Sequence, residues 1–258
     1  MEDNKVKSYI KMLGLSLVIF LVGISGMIFS SLFLGGIKLK MLQEFIISLA
    51  LLLGGILVVY VVNKKSGSRF KDFSTKVKID ITIIVILLAI FKSYLSLFLF
   101  FGDRIGEKPD KLGFISLVLQ VIDSIIIFPI AEELIFRYGM LTLLFKIDDS
   151  KLKVIISVVF TSFLWTLMHC PNDWSRVGQL MISGSILGYI YYKCKNILYC
   201  IIYHVVTNVS LYYAAYRMRI ILGKKYLLYI YLIGFLVLFI SFAIKNNNRR
   251  DKNGKYIF

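Results

Sequence analysis

The sequence predicts an all-α, polytopic transmembrane bundle of about eight helices, forming one integral membrane domain over residues 1–258. Three observations predict it. Of the 258 residues 58% are apolar, with a mean hydropathy of +0.78; a soluble domain carries about 45–50% and has too little interior to hide the excess. The apolar residues fall in long continuous runs, and eight spans of about 20 residues would use about 160 of them. The 31 Lys and Arg, against 15 Asp and Glu, leave a net charge of +16 and sit mostly between those runs. Loops facing anionic headgroups carry such residues. Together these exclude a soluble enzyme, a secreted disulfide scaffold and a disordered tail protein. They also exclude an outer-membrane barrel, whose strands alternate apolar and polar residues.

The runs cover roughly 12–36, 42–62, 79–101, 112–145, 154–170, 177–192, 196–216 and 226–244. The charged start MEDNKVKSYIK leads into the first, which lacks a short apolar core with a small-residue cleavage site. It reads as a retained span, not a signal peptide. The fourth is too long for one upright span and contains Pro129, so it is expected to kink there or to continue as a tilted helix. The sixth is short and holds Ser183, Gly184, Ser185 and Gly188; such small residues let backbones approach, placing it inside the bundle. With the N-terminus inside, inner segments hold 19 Lys and Arg and outer segments 10, so both termini are expected in the cytoplasm.

Partners follow from the same composition. No basic stripe with interleaved aromatics occurs, so membrane lipid is expected and nucleic acid is not. The three cysteines, Cys170, Cys194 and Cys200, form no CxxC pair and indicate neither a disulfide framework nor a zinc knuckle. Nothing in the sequence fixes an oligomeric state.

Ionisable groups at membrane depth are costly and mark function by default. Three clusters stand out: Ala131-Glu132-Glu133-Leu134-Ile135-Phe136-Arg137, Trp165-Thr166-Leu167-Met168-His169 and His204-Val205-Val206-Thr207-Asn208. They use both histidines of the chain. Glu133 and Arg137 are four apart and can pair on one helix face, while Glu132 points about 100° away. Trp165 and His169, and His204 and Asn208, repeat that spacing. A carboxylate beside a histidine can take a proton from water, and a second His with an Asn can donate to an oxyanion. That set suffices to hydrolyse an amide bond within the membrane. The same two His and a carboxylate are also a common zinc set.

Structural readings stand beside these. Glu133 and Arg137 could simply brace a helix, His169 could close a helix before Pro171, and His204 and Asn208 could be interhelical glue. Cys170 diverges from His169 as an adjacent residue and is not read as a nucleophile. Tyr189, Tyr191 and Tyr192, and Tyr212, Tyr213 and Tyr216, read as interfacial belts. Lys92 and Asp123 are lone charges in apolar runs, read as snorkelling or structural. The basic end around Arg249 and Arg250 reads as a solvated topogenic tail.

EELIFR at 132–137 is similar to the EExxxR motif of the CPBP family, the CAAX-protease and bacteriocin-processing (Abi) intramembrane proteases. His204-Val-Val-Thr-Asn208 resembles its HxxxN motif. His169 matches the histidine of its FxxxH motif, with Trp165 in place of the phenylalanine. The order and rough spacing agree, and the resemblance covers about residues 112–215, the expected catalytic core. The resemblance implies that Glu132 is the general base, His169 its partner, and His204 and Asn208 the oxyanion donors. Glu133, Arg137 and Trp165 are then supporting residues. It does not decide whether zinc or no metal is bound; if a metal is present, Glu132, His169 and His204 would be its ligands. The HExxH and GxGD signatures of other intramembrane proteases are absent from the sequence.

The expectation is therefore an intramembrane endopeptidase acting on a membrane-associated peptide. The implied substrates are prenylated CAAX-type peptides or leader-bearing bacteriocin or pheromone peptides. A Lys-, Ile- and Asn-rich composition resembles that of an AT-rich bacterium, which favours peptide processing or self-immunity in a bacterial cytoplasmic membrane. The alternative is a non-catalytic membrane scaffold or bacteriocin self-immunity factor that keeps the motif for packing. A proton-relaying transporter is a third, without the repeat symmetry common in transporters.

Overall fold

The computed structural model describes residues 10, 11, 14–18, 21, 40–66, 77–100, 114–147 and 150–221. Most of the first apolar run, the whole eighth and the two chain ends lie outside them, and so does the expected placement of the termini. The described elements are all helical: α1 (Lys40–Ser66), α2 (Ile79–Phe100), the continuous rod α3 (114–147), α4 (Lys151–Met168), α5 (Trp174–Cys194) and α6 (Ile197–Ile221). Within them Leu42–Lys64, Ile79–Ser96 and Lys151–Met168 are long and apolar enough to cross a membrane. This is the all-α architecture the apolar runs predict.

The rod α3 neither breaks nor simply tilts at Pro129. It starts as the α-helix Phe114–Ile122, widens to a π turn at Asp123–Ile127, returns to α at Phe128–Glu133, widens again at Leu134–Leu141 and ends as Thr142–Ile147. Pro129 lies in the first turn of the middle α segment. Proline has no N–H and its ring crowds the carbonyl four residues back. The wider turn relieves this, with the Phe128 N–H reaching the Asp123 carbonyl. At that same five-residue spacing the Ser124 carbonyl would look to residue 129, which has no N–H to give. The Asn208 amide from α6 takes it instead, Nδ2 to O at 2.8 Å. Glu132 and Glu133 thus sit between two π turns, a local geometry common at functional sites.

The small residues of α5 do bring backbones together. A Cβ on Gly184 would stand 2.9 Å from the Ser162 Cβ, and one on Gly188 would stand 2.9 Å from a Val158 methyl, so α4 and α5 touch along this line. The turn between them passes through Cys170 at φ 43° and restarts at Asp173, whose Oδ1 accepts the Arg176 N–H at 2.7 Å. This capping fixes where α5 begins.

Away from the acidic pair the bundle closes on an apolar core of Val62, Val85, Ala89, Leu141, Leu144 and Leu187. Buried tyrosines bridge helices there, which corrects the belt reading for Tyr191. It is 1% exposed, and its hydroxyl meets that of Thr142 at 2.6 Å. Tyr199 accepts the Lys78 N–H at 2.6 Å, and Tyr138 donates to Asn63. Tyr189 is exposed, as a belt residue would be. The side chains of Tyr212, Tyr213 and Tyr216 lie outside those described.

Candidate active site

The side chains of Glu132 and Glu133 on α3 are both fully buried, yet their surroundings differ atom by atom. Glu133 Oε1 accepts from Arg137 Nη1 at 3.2 Å and from His204 Nδ1 at 2.8 Å. Arg137 also reaches the Gly184 carbonyl at 3.5 Å and lies 5.2 Å from the Trp165 ring centroid. Its charge is thereby shared among a carboxylate, a carbonyl and an aromatic face. Pairing at the expected four-residue spacing is present, and it braces α3 against α5 and α6.

Glu132 faces the other way. Its Oε2 accepts the indole N–H of Trp165 at 2.6 Å, while its Oε1 has no hydrogen-bond partner. His169 Nε2 lies 3.6 Å from that free oxygen, too far for a direct hydrogen bond. His204 Nε2 lies 3.8 Å from Oε2. Three separate helices therefore bring Glu132 and both imidazoles to one point.

The ring nitrogens can be assigned from their partners. His169 Nδ1 is 2.9 Å from the Trp165 carbonyl; a carbonyl only accepts, so Nδ1 carries the hydrogen. In the neutral ring Nε2 is then a lone-pair acceptor pointing at Glu132. His204 likewise donates from Nδ1 to the Glu133 carboxylate, so Nε2 donates only if it carries a second proton. Trp165 packs on both rings, at centroid distances of 4.5 Å to His169 and 5.7 Å to His204. His169 ends α4 as its C-cap, which explains its partial exposure beside the turn through Cys170.

Glu132, Trp165, His169, His204 and Asn208 line a cavity of about 350 Å³. Asn208 reaches it with one amide hydrogen already given to Ser124, so one remains for a ligand. Among the described residues no three His, Cys, Asp or Glu side chains are grouped to hold a metal ion; one oxygen of Glu132 is committed to Trp165.

Residues 114–210 match the family described as Type II CAAX prenyl endopeptidase Rce1-like. The matched stretch contains all three motifs, and the match bears out the resemblance read from them. No curated protein and no solved structure matches the chain. The likeness to this family and the long apolar helices together point to an integral membrane protein.

Sequence reasoning underread three residues here. Trp165, expected only as a supporting residue, donates a hydrogen bond to the buried carboxylate, which the phenylalanine of the family motif could not do. Lys92, read as snorkelling or structural, is 6% exposed and lines the cavity. Arg176, which the motifs do not include, lines the same cavity. A lysine in the middle of an apolar run was the available signal for the second. Nothing in spacing indicated the other two.

Proposed function

We propose that this chain is an intramembrane endopeptidase in which Glu132 and His169 activate a water molecule for attack on a peptide carbonyl. The observation that carries the reading is the unpartnered Glu132 Oε1 facing the lone pair of His169 Nε2 across 3.6 Å. Two acceptors at that separation cannot bond each other. A water between them would donate one O–H to each and turn its oxygen lone pairs towards the cavity. As that oxygen bonds to the carbonyl carbon, one proton passes to Glu132 and the carbonyl electrons move onto oxygen. Asn208 Nδ2 and a protonated His204 Nε2 would donate to that oxyanion. The proton then goes to the leaving amine as the C–N bond breaks. Glu133 and Arg137 hold His204 in place, and Trp165 holds Glu132.

Within a single membrane domain of residues 1–258, the core 112–215 would carry the chemistry. The expected substrate is a membrane-associated peptide, prenylated CAAX-type or leader-bearing. The expected setting is a bacterial cytoplasmic membrane with both termini inside. Purified full-length protein in detergent, given farnesylated CAAX-type and leader peptides with and without chelator, tests this reading. Cleavage by the wild type and its loss in Glu132→Ala and His169→Ala variants that still fold supports it. Native-rate cleavage by both variants ends it. Biological function retained by folded Glu132→Ala would favour the scaffold or self-immunity alternative.

A further inference from the structure

Lys92 is a buried cation of the described residues that the site leaves without a counter-ion. It lies on α2, is 6% exposed and lines the cavity. Its neighbour Ser93 donates to the Thr207 carbonyl at 3.3 Å, seating this turn of α2 beside the Asn208 turn of α6. No ion pair or hydrogen bond joins Lys92 to a described carboxylate. Asp123, on the same cavity wall, hydrogen-bonds Ser48 of α1 and keeps Oδ1 without a partner, with no ion pair to Lys92. The other deeply buried cation of the site, Arg137, is paired with Glu133. Arg176 adds a second positive group on the wall, with Nη1 donating to Gln179 Oε1 at 2.6 Å. An ammonium held out of water with no partner is costly, and a ligand anion entering the cavity would offset that cost.

We propose that Lys92, assisted by Arg176, is a substrate-binding site for a carboxylate of the peptide. This rests on the endopeptidase reading above and adds the element that sets register. With one end of the peptide held at Lys92, the bond presented to Glu132 and His169 is fixed by the distance between the two sites. The carboxylate can come from the peptide C-terminus or from an acidic side chain close to the cleaved bond.

The test is calorimetric titration of purified full-length protein in detergent with three probes. These are an N-acetylated tripeptide of apolar residues with a free C-terminal carboxylate, the same tripeptide as its amide, and an amide ending in glutamate. The free acid is expected to bind the wild type at least about tenfold more tightly than the plain amide, the worth of a hydrogen bond to a charged group. Tight binding of the glutamate amide as well assigns the contact to any nearby carboxylate. Its failure to bind assigns the contact to the C-terminus. Lys92→Gln should erase the acid–amide difference, and Lys92→Met should raise Tm without ligand, because a lone buried charge is gone. Equal binding of acid and plain amide to the wild type, or binding of neither, overturns the proposal with no variant needed. Glu132→Gln separates the two readings. If it cleaves normally while the acid preference stands, the catalytic reading alone fails. If cleavage depends on Glu132 but the preference is absent, the carboxylate site alone fails.

Discussion

Glu132 and Glu133 are adjacent, identical in type and equally buried, yet the bundle treats them in opposite ways. Glu133 has Arg137 and His204 on one oxygen, contacts that tie α3 to α6. Glu132 has one oxygen fixed by Trp165 and the other left facing His169 across the cavity. Each carboxylate keeps one oxygen without a hydrogen-bond partner, but only that of Glu132 lies on the cavity, 3.6 Å from the lone pair of His169 Nε2, and is prepared for chemistry. What separates the two is rotation: one residue step turns a side chain by about 100°, towards a different neighbouring helix.

Breaking the two carboxylates separately should therefore give opposite phenotypes. Glu132→Gln is expected to cut turnover by about a thousandfold, the scale of general-base loss, with Tm close to wild type because glutamine still accepts from Trp165. Peptide cleavage rates and thermal melts on the same preparation check this. Glu133→Gln is expected to lower stability by about 3–5 kcal/mol, since it leaves the Arg137 charge buried without its partner. Urea or thermal unfolding should show the loss, with turnover per folded molecule reduced less than in Glu132→Gln.

Smaller effects sharpen the contrast. Trp165→Phe restores the aromatic of the family motif but removes the indole N–H from Glu132; loss of a hydrogen bond to a charged group predicts a rate fall of roughly ten- to a hundredfold. An unchanged rate would mean that the wall matters and the donor does not. Asn208→Ala removes one interhelical hydrogen bond to the Ser124 carbonyl and should cost about 0.5–1.5 kcal/mol of stability, besides any loss of oxyanion binding seen in kcat. Chelator treatment in the same peptide assay separates the two ways of activating water: unchanged cleavage assigns it to Glu132 and His169 alone, and loss restored by added zinc assigns it to a metal held by Glu132, His169 and His204.

The helices were legible because continuous apolar runs state their own length. The site residues were legible because polar groups in those runs are few: Glu133 with Arg137 and Trp165 with His169 needed only four-residue spacing. Partners across helices were not legible, because spacing along one helix says nothing of its rotation against the next. Hence Trp165 reaching Glu132 was missed. So was Asn208 reaching Ser124, a bond that exists because Pro129 has no N–H and α3 widens to a π turn around it. Lys92 was visible as a charge in an apolar run, but only packing could show that it faces the cavity and not the headgroups.

The central claim is that Glu132 and His169 act on one shared water, and a double-mutant cycle in kcat tests it most directly. The cycle compares wild type, Glu132→Gln, His169→Ala and the double variant, each normalised to folded protein. Groups that serve one water lose it once, so the double variant should be no slower than the slower single variant. Losses that multiply, or single variants that turn over at the wild-type rate, would contradict the shared water.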